Sequence, residues 1–345
     1  MTRLALVMIA RDEAASIARA LDSARPHVER MIVLDTGSVD DTPAIAAGHG
    51  AEVRAFAWVD DFAAARNAAL VHSDAAWNLV LDADEWITAG GEALAALPAQ
   101  PDGRLGVVRL ENVTDAPGGE AGQAWLPRIL PRGVRYEGRV HEQPVGASGS
   151  FRTGLVLGHD GYAAANLARK AGRNEALMMA ELEANPQDAY IWYQLAREHQ
   201  VRERPPQAAL CFTEALRLTP PDAPWRHGLV VRAITALKTA GRLDEALQLA
   251  GDEIGIWSES PDFFFALGDL YLECAVQAPD RAKEFLPIAE SAWKKCLEIG
   301  ERPDLDAAVP GRGSHMAAHN LAALYETLGL KDEAARYQAL AAKRP

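Results

Sequence analysis

The sequence predicts an α/β domain with a mostly parallel sheet and helices on both faces, followed by an all-α domain of helical repeats. Two observations support this prediction. In the first part of the chain, short apolar runs of strand length alternate with segments whose apolar residues recur at helical spacing. In the last part, helix-length segments follow one another and share a recurring pattern of small and aromatic residues. We place the α/β domain at residues 1–163 and the helical domain at residues 164–345.

Four strands are predicted in the first part of the chain. They cover residues 4–9, 31–34, 52–56 and 78–81. A helix is predicted after each of the first three strands: one opens at Asp12 or Glu13, one has Pro43 in its first position, and one starts at Asp60. Strands that are separated by helices pair in parallel, because each crossover returns the chain to the same edge of the sheet.

The pattern changes between about residues 89 and 161. Strands are predicted at residues 105–110 and 125–130. Glycine, proline and polar residues at positions 115–120 predict a loop or small lid between these two strands.

From about residue 166 the chain reads as helix throughout, with a repeat. The best copy has the spacing of a tetratricopeptide unit, with a histidine where a tyrosine is usual: Trp192, Leu195, Ala196, His199, Ala208, Phe212, Ala215 and Pro220. Three weaker copies follow, around residues 233–246, 267–293 and 321–334. Several copies in tandem predict stacked helix pairs, and an unrelated helical bundle is the alternative.

The composition limits the class of partner. The chain has 345 residues, 49% of them hydrophobic, and a net charge of −13. This acidic balance argues against a nucleic-acid partner, because a negative surface repels the phosphate backbone. The apolar run at residues 4–10 is too short to span a membrane, so we expect a cytoplasmic protein with no membrane span. The three cysteines lie far apart and lack metal-ligand spacing, so we expect them to be buried apolar residues.

Carboxylates cluster where two of the predicted strands end. Asp35 follows the second strand, and Asp82, Asp84 and Glu85 follow the fourth. Parallel strands bring their carboxyl ends to one edge, where open α/β sheets bind ligands. Alternation along a strand would point Asp82 and Asp84 to the same side, where they could hold a hard divalent cation. The alternative is that Asp84 and Glu85 cap a following helix.

Four sequence blocks occur in an order and at a spacing that are together specific. They are MIARDE at residues 8–13, VLDTGSVDDT at 33–42, WVDDFAAARN at 58–67 and LVLDADE at 79–85. This combination resembles the family 2 glycosyltransferases, which have the GT-A fold. The resemblance implies that the α/β domain transfers a sugar from a nucleotide-sugar donor.

The resemblance also implies roles for single residues. Ala10, Arg11 and Asp12 would hold the base and the edge of the ribose, and Asp35 would bind the uracil or the ribose. Arg66 would lie near the base and the diphosphate. Asp82, with the neighbouring Ala83, would face the ribose or the water shell of the metal. Asp84 would bind Mg²⁺ or Mn²⁺ directly, with Asp82 beside it in the metal site. Apart from the resemblance, we predict His159 as a third metal ligand, because an imidazole could complete the coordination sphere; a structural role for His159 is the alternative.

A second resemblance covers nearly the whole chain. A GT-A domain joined to tetratricopeptide-like helices, with RVHE at residues 139–142 and HDGY at residues 159–162, is similar to the bacterial group that includes the sublancin S-glycosyltransferase. This similarity implies a peptide or protein acceptor and a homodimer through the helical repeats. An inverting transfer needs a base within reach of the acceptor. We predict Glu142 in this role, with His141 as its neighbour or substitute; a structural hydrogen-bonded pair is the alternative.

Three further residues can each be interpreted in two ways. Arg128 and Arg139 either contact phosphate or pair with the surplus carboxylates of the domain. Trp125 either stacks on a sugar or belongs to the core.

The sequence therefore predicts a metal-dependent inverting glycosyltransferase that uses a UDP-sugar and acts on a peptide or protein side chain. A non-catalytic tetratricopeptide scaffold with a vestigial nucleotide-sugar domain is one alternative. A glycosyltransferase that acts on a glycan or a small molecule is another. A nucleotidyltransferase is set aside, because residues 10–13 lack the glycine-rich, lysine-bearing loop that holds a triphosphate.

Overall fold

The computed structural model describes residues 2–112, 123–159 and 172–343. The chain forms two compact units, Met1–Ala184 and Asn185–Pro345. The domain boundary predicted after residue 163 lies outside the described residues. Each unit is described by itself.

In the described part of the first unit, eight strands form a mixed sheet and two form a separate ribbon. In chain order the strands are β1 (Leu4–Ala10), β2 (Arg30–Asp35), β3 (Glu52–Ala55), β4 (Trp77–Val80), β5 (Glu85–Ala89), β6 (Leu105–Asn112), β7 (Gln123–Pro131), β8 (Arg135–Glu137), β9 (Gln143–Val145) and β10 (Ser150–His159). The large sheet has the order β3-β2-β1-β4-β7-β6-β10-β5, and β8 pairs with β9. Neighbours from β3 to β4 are parallel, as are β6 and β10, whereas β7 and β5 run antiparallel to their neighbours.

Helices cover both faces of the parallel half. They are α1 (Ile17–Ala24), α2 (Thr42–Gly48) and α3 (Phe62–Val71). Leu6 on one face of β1 packs in a core with Ile17 of α1, whereas Val7 on the other face packs with Ala69 of α3. Alternation along a buried strand thus explains the unbroken apolar sequence of β1.

Most predicted elements of this unit are confirmed, and two expectations are wrong. The first helix begins at Ile17, because the amides of Asp12 and Glu13 donate to the side chains of Ser38 and Thr42 and hold this segment in a turn. The helix cap considered for Asp84 and Glu85 is also wrong: Glu85 begins strand β5, which pairs with β10. The loop predicted at residues 115–120 lies outside the described residues.

The helix α4 (Arg173–Ala184) belongs to the first unit. The second unit contains α5 (Ala189–Val201), α6 (Pro205–Leu218), α7 (Arg226–Thr239), α8 (Leu243–Glu253), α9 (Pro261–Gln277), α10 (Ala282–Ile299), α11 (His315–Thr327) and α12 (Lys331–Ala341). They pack as four consecutive pairs, which confirms the predicted repeats. Phe212, Phe263 and Trp293 are fully buried in this unit, and its three free cysteines are buried as predicted. Among the helices that the structure describes, none combines the length and the apolar character that a membrane crossing requires.

Candidate active site

The loops that follow β1 and β2 are locked together. Asp12 accepts a hydrogen bond from the amide of Val39 at 2.8 Å, and the amide of Asp12 donates to Oγ of Ser38 at 3.0 Å. The carboxylate of Asp35 accepts from the amides of Gly37 and Ser38. These bonds fix the turn after β2 before any ligand arrives.

The residues predicted to bind the nucleotide are distributed along one edge of the sheet. Ala10 and Asp35 are the last residues of β1 and β2 and lie side by side in the parallel register. Ala10 is buried, and Arg11 beyond it is exposed. Because β4 pairs with the other side of β1, the turn that contains Asp82, Ala83 and Asp84 begins at the same edge.

Arg66 is buried beneath this edge and joins two carboxylates. It comes from α3, whose N-cap Asp61 accepts a hydrogen bond from the amide of Ala64. Nη2 of Arg66 donates to Oδ1 of Asp82 at 2.7 Å, and Nε donates to Glu142. Burial lowers the pKa of Arg66, but the two carboxylates outweigh burial and hold that pKa well above its ordinary value. The guanidinium is therefore a fixed cation.

A second arginine, Arg128 of β7, holds the other oxygen of Asp82. Its Nη2 donates to Oδ2 of Asp82 at 2.8 Å and also to Oε1 of Glu85. The other oxygen of Glu85 accepts the amide of Asp82 at 3.1 Å. Burial raises the pKa of Glu85, although Arg128 opposes the rise. The structure thus pairs Arg128 with carboxylates, one of its two predicted interpretations.

Asp84 faces a histidine rather than these arginines. Nε2 of His159 lies 3.6 Å from Oδ2 of Asp84, and both side chains are largely buried. The antiparallel register that places His159 beside Glu85 creates this contact. Burial lowers the pKa of His159, but the adjacent carboxylate of Asp84 and the charges of Glu85 and Asp82 outweigh burial and raise the pKa above its ordinary value.

Asp82 and Asp84 therefore have different partners. The expectation that strand alternation points them to the same side does not apply, because β4 ends at Val80 and both aspartates lie in the following turn. Asp82 contacts two guanidinium groups, and Asp84 contacts the imidazole.

The donor atoms at Asp84 and His159 fit a divalent cation. In the three described ranges, no group of three or more His, Cys, Asp or Glu side chains is placed to hold a metal ion. One carboxylate and one imidazole nevertheless suit Mn²⁺, and water or phosphate oxygens can fill the other positions of its coordination sphere. Asp82 is a poorer ligand, because each of its oxygens already accepts from a guanidinium.

Of the two predicted base residues, Glu142 contacts Arg66. Glu142 is almost buried and is its ion-pair partner. His141 has a φ of +53°, in the left-handed region, and its carbonyl accepts from Nε2 of Gln143 at 2.9 Å. The structure thus brings Glu142, Arg66 and Asp82 into one network.

Tyr136 is a site residue that the sequence did not single out. Its ring lies 5.4 Å from the guanidinium carbon of Arg66, and burial raises the pKa of its hydroxyl. Among the described residues, the Tyr136 hydroxyl, Nη1 of Arg66 and Nε of Arg128 are buried without a hydrogen-bond partner. The arginine-rich stretch around residue 135 was the sequence feature that pointed to Tyr136, but it does not show that the Tyr136 side chain is buried.

The two remaining candidates lie outside this network. Trp125 is half-buried, and the guanidinium of Arg152 lies 4.3 Å from the centre of its ring. Arg139 is exposed, with Nε 3.9 Å from Glu181 of α4.

Comparison with known proteins agrees with this architecture. Residues 5–112 match the model of the family described as glycosyl transferase family 2. A TPR repeat-containing protein of Synechococcus elongatus is 32% identical over 266 residues, which cover 72% of this chain and 64% of the relative. The SPbeta prophage-derived glycosyltransferase SunS of Bacillus subtilis is 25% identical over 211 residues, 58% of this chain and 50% of that protein.

A third relative matches the first unit alone. An uncharacterised glycosyltransferase of Rickettsia felis is 40% identical over 86 residues, 25% of this chain and 30% of that protein. The chain spans less than two thirds of the length of each of these relatives. Residues 5–112, in a first unit with the GT-A fold, belong to glycosyl transferase family 2, and tetratricopeptide-like helical repeats follow in the second unit.

Proposed function

We propose that the protein is an inverting glycosyltransferase that takes a sugar from a UDP-sugar with the help of Mg²⁺ or Mn²⁺. The observation that carries the proposal is the pairing of Asp84 with His159 at the edge where β1, β2 and β4 end. A carboxylate and an imidazole that meet at the ligand-binding edge of an α/β sheet supply two donor atoms that suit Mn²⁺. The membership of residues 5–112 in family 2 supports the same activity.

Each residue has a proposed task. The interlocked loops of Asp12 and Asp35 receive the base and the ribose. Asp84 and His159 hold the cation, which supplies Lewis-acid stabilisation to the departing diphosphate. Arg66 keeps Asp82 and Glu142 in fixed positions through its two hydrogen bonds. The cytoplasmic location stays a prediction.

The acceptor is proposed to be a peptide or protein side chain, and the repeats are proposed to bind it or to join two copies of the chain. The resemblance of the whole sequence to the bacterial group that includes the sublancin S-glycosyltransferase supports a polypeptide acceptor. Glu142 or His141 would take the acceptor proton. For Glu142 this requires that its carboxylate give up part of its interaction with Arg66, since a base needs a lone pair aimed at the proton it removes.

The donor half of the proposal is tested by release of UDP from UDP-glucose or UDP-N-acetylglucosamine, with Mn²⁺, Mg²⁺ or a chelator. We expect turnover that needs the metal and that falls at least about a hundredfold in Asp84→Asn, because a direct metal ligand is lost. Asp102→Asn is the control, since Asp102 is an exposed carboxylate that pairs with Arg104. Failure of every nucleotide sugar to bind, with or without metal, would favour the scaffold alternative.

The acceptor half needs a separate measurement. Peptides with Ser, Thr or Cys are offered together with the donor, and the product is identified by mass spectrometry. The anomeric configuration of the product, read by NMR, tests inversion. Transfer to free glycans but to no peptide would replace the proposed acceptor with the glycan alternative.

A further inference from the structure

The link between α10 and α11 is a long loop that closes on itself. It covers residues 300–314, whereas the links before α7 and α9 cover residues 219–225 and 254–260. The two ends of the long loop touch, since a Cβ at Gly313 would collide with the carbonyl oxygen of Gly300. Loops whose ends meet in this way are compact surface units. The loop can therefore lift from the surface while α10 and α11 stay in place.

The middle of this loop lies against three helices of the second unit. Nδ1 of His227 in α7 lies 2.5 Å from the carbonyl oxygen of Asp306, and it donates this hydrogen bond because a carbonyl can only accept. The amide of Val309 donates to Oδ1 of Asp262 in α9 at 2.9 Å. The carboxylate of Asp306 also interacts electrostatically with Arg197 of α5. The loop thus meets the first helix of three consecutive pairs, α5, α7 and α9.

Gly228 of α7 provides the room for this contact. A Cβ at this position would lie 2.7 Å from Oδ2 of Asp306 and 2.8 Å from Cβ of Ala307. The amide of Gly228 donates to the carboxylate of Asp306. Glycine in a helix usually costs about 0.5–1 kcal/mol relative to alanine. The close approach of the loop offsets this cost and gives the glycine a packing role.

These contacts are of the kind that a surface makes with a bound peptide, because backbone groups are paired and one side chain fills a matching space. We infer that residues 301–312 are an internal ligand of the face formed by α5, α7 and α9, and that they close this face to other peptides. A ligand of the same class is a peptide loop whose side chain at the position of Asp306 accepts a hydrogen bond. The inference rests on the proposed role of the repeats in binding a polypeptide. Its test measures peptide binding alone, so a failure here is separate from a failure of sugar transfer.

The side chain at position 306 has positive neighbours. Burial raises the pKa of the Asp306 carboxylate, and nearby positive groups oppose the rise: His227, Arg197 and Arg232. A positive side chain at this position would meet two guanidinium groups in a partly buried site, which is strongly unfavourable. D306R should therefore release the loop and leave the face of α5, α7 and α9 intact.

Hydrogen exchange of the full chain, followed by mass spectrometry, tests the release. The amide of Val309 is protected in the wild type by its bond to Asp262. In D306R we expect the loop to exchange at least about tenfold faster, with α5, α7 and α9 unchanged, because a local opening exposes only the amides of the loop. D304R is the matched control, because it makes the same charge change at an exposed carboxylate of the same loop. Loop exchange as slow in D306R as in the wild type would overturn the inference.

A cyclic peptide supplies the loop as a separate molecule. The loop is folded into turns, with the amide of Leu305 donating to the carbonyl of Arg302. A head-to-tail cyclic peptide of residues 300–313 therefore keeps its shape at a lower entropic cost than a linear one. A tethered segment competes at an effective concentration of about a millimolar, which keeps micromolar peptide out of the wild type. We expect calorimetry to show that the peptide binds D306R at least about tenfold more tightly than it binds the wild type.

Two further combinations locate the binding. A peptide that carries the D306R change should bind the D306R protein at least about tenfold more weakly than the natural sequence does. The double variant G228A/D306R should also lose affinity, because the added Cβ collides with the side chain that the peptide brings. Equal binding of the natural peptide to D306R and to the wild type would overturn the inference, as would no binding to a D306R protein whose loop is released.

G228A alone decides the matter if D306R does not fold. Alanine favours the helix α7, while its Cβ presses on Asp306 and Ala307. We expect the loop to exchange at least about tenfold faster than in the wild type, and α7 no faster. Gly251→Ala is the control, because a Cβ there meets no atom within 4 Å, and it should leave loop exchange unchanged. Equal acceleration in α7 and in the loop would mean that they open together, and would overturn the inference.

Discussion

Arg66 and Glu142 form a buried ion pair that joins α3 to the segment between β8 and β9. The exposed fractions of the two side chains are 7% and 10%. Nε of Arg66 donates to Glu142 while Nη2 donates to Asp82. A carboxylate in this position supports the site structurally, whether or not it also removes a proton from an acceptor.

Removal of Glu142 should therefore destabilise the protein. Glu142→Ala leaves Nε of Arg66 buried without an acceptor, so we expect the free energy of unfolding to fall by about 3 kcal/mol. Glu142→Gln keeps a side-chain oxygen as acceptor and should cost less. Chemical unfolding followed by circular dichroism measures both.

The control for this prediction is Glu137→Ala, because Glu137 is an exposed residue of β8. Its substitution should leave the unfolding free energy within about 0.5 kcal/mol of the wild-type value. An E142A protein as stable as the wild type would show that the ion pair with Arg66 contributes nothing to the free energy of unfolding. Glu142 would then have a role only in binding or activating the acceptor.

Burial of Asp306 is expected to make the stability of the second unit depend on pH. Asp306 precedes α11 and accepts the amide of Gly228 in α7; His227, Arg197 and Arg232 also act on it. Burial raises the pKa of Asp306 above its ordinary value of 3.8, and these groups oppose the rise only in part. The folded state thus binds a proton more tightly than the unfolded state, so the stability that Asp306 contributes is present at low pH and is lost as the pH rises through the folded pKa.

Asp306→Asn should make this contribution independent of pH. The amide oxygen still accepts from Gly228 and carries no charge, so we expect D306N to be at least as stable as the wild type at pH 7. The difference between the two proteins should shrink as the pH falls toward 4. Urea unfolding over this pH range measures it, with Asp304→Asn, an exposed carboxylate of the same loop, as control. A D306N protein whose advantage grows on acidification would contradict the raised pKa.

Local sequence was sufficient to predict the four parallel strands β1 to β4 and the helical repeats. The four parallel strands match their apolar runs within about two residues, because polar residues and turn formers bound each run. The helix pairs were recognisable because the small and aromatic residues of each copy pack on one another, as Trp293 packs on Gly268. Both signals are contained within one element or one pair of elements.

Long-range contacts explain what local sequence could not give. Helix α1 begins later than predicted, because the amide of Asp12 donates a hydrogen bond to Ser38, which is 26 residues away in the sequence. Strand β5 was missed because its pairing partner, β10, lies about seventy residues later. The carboxylate of Asp82 accepts hydrogen bonds from Arg66 and Arg128, which are 16 and 46 residues distant in the sequence. The sequence contains many arginines and acidic residues, but only the tertiary structure determines which of them form ion pairs.

The cysteines should be unreactive in the native protein. Cys274 and Cys296 are buried, and burial raises the pKa of both thiols, so the nucleophilic thiolate is scarce. Cys211 is buried as well. We expect Ellman's reagent to label the native chain slowly and to titrate all three thiols once guanidinium chloride is added. Rapid labelling of one thiol before unfolding would show that its helix pair opens readily.

Gly268 should be a position where alanine destabilises a helix. Alanine usually stabilises a helix relative to glycine by about 0.5–1 kcal/mol. A Cβ at Gly268 of α9 would lie 2.5 Å from Nε1 of Trp293 in α10, and Trp293 is fully buried. The two helices would have to separate, so we expect Gly268→Ala to lose about 1–3 kcal/mol of stability. Gly251 of α8 is the matched control, because a Cβ there meets no atom within 4 Å. Gly251→Ala should show the usual gain in stability. Urea unfolding of the two variants side by side separates the effect of helix propensity from the effect of packing. A G268A protein as stable as G251A would mean that α9 and α10 can accommodate the added Cβ without loss of stability.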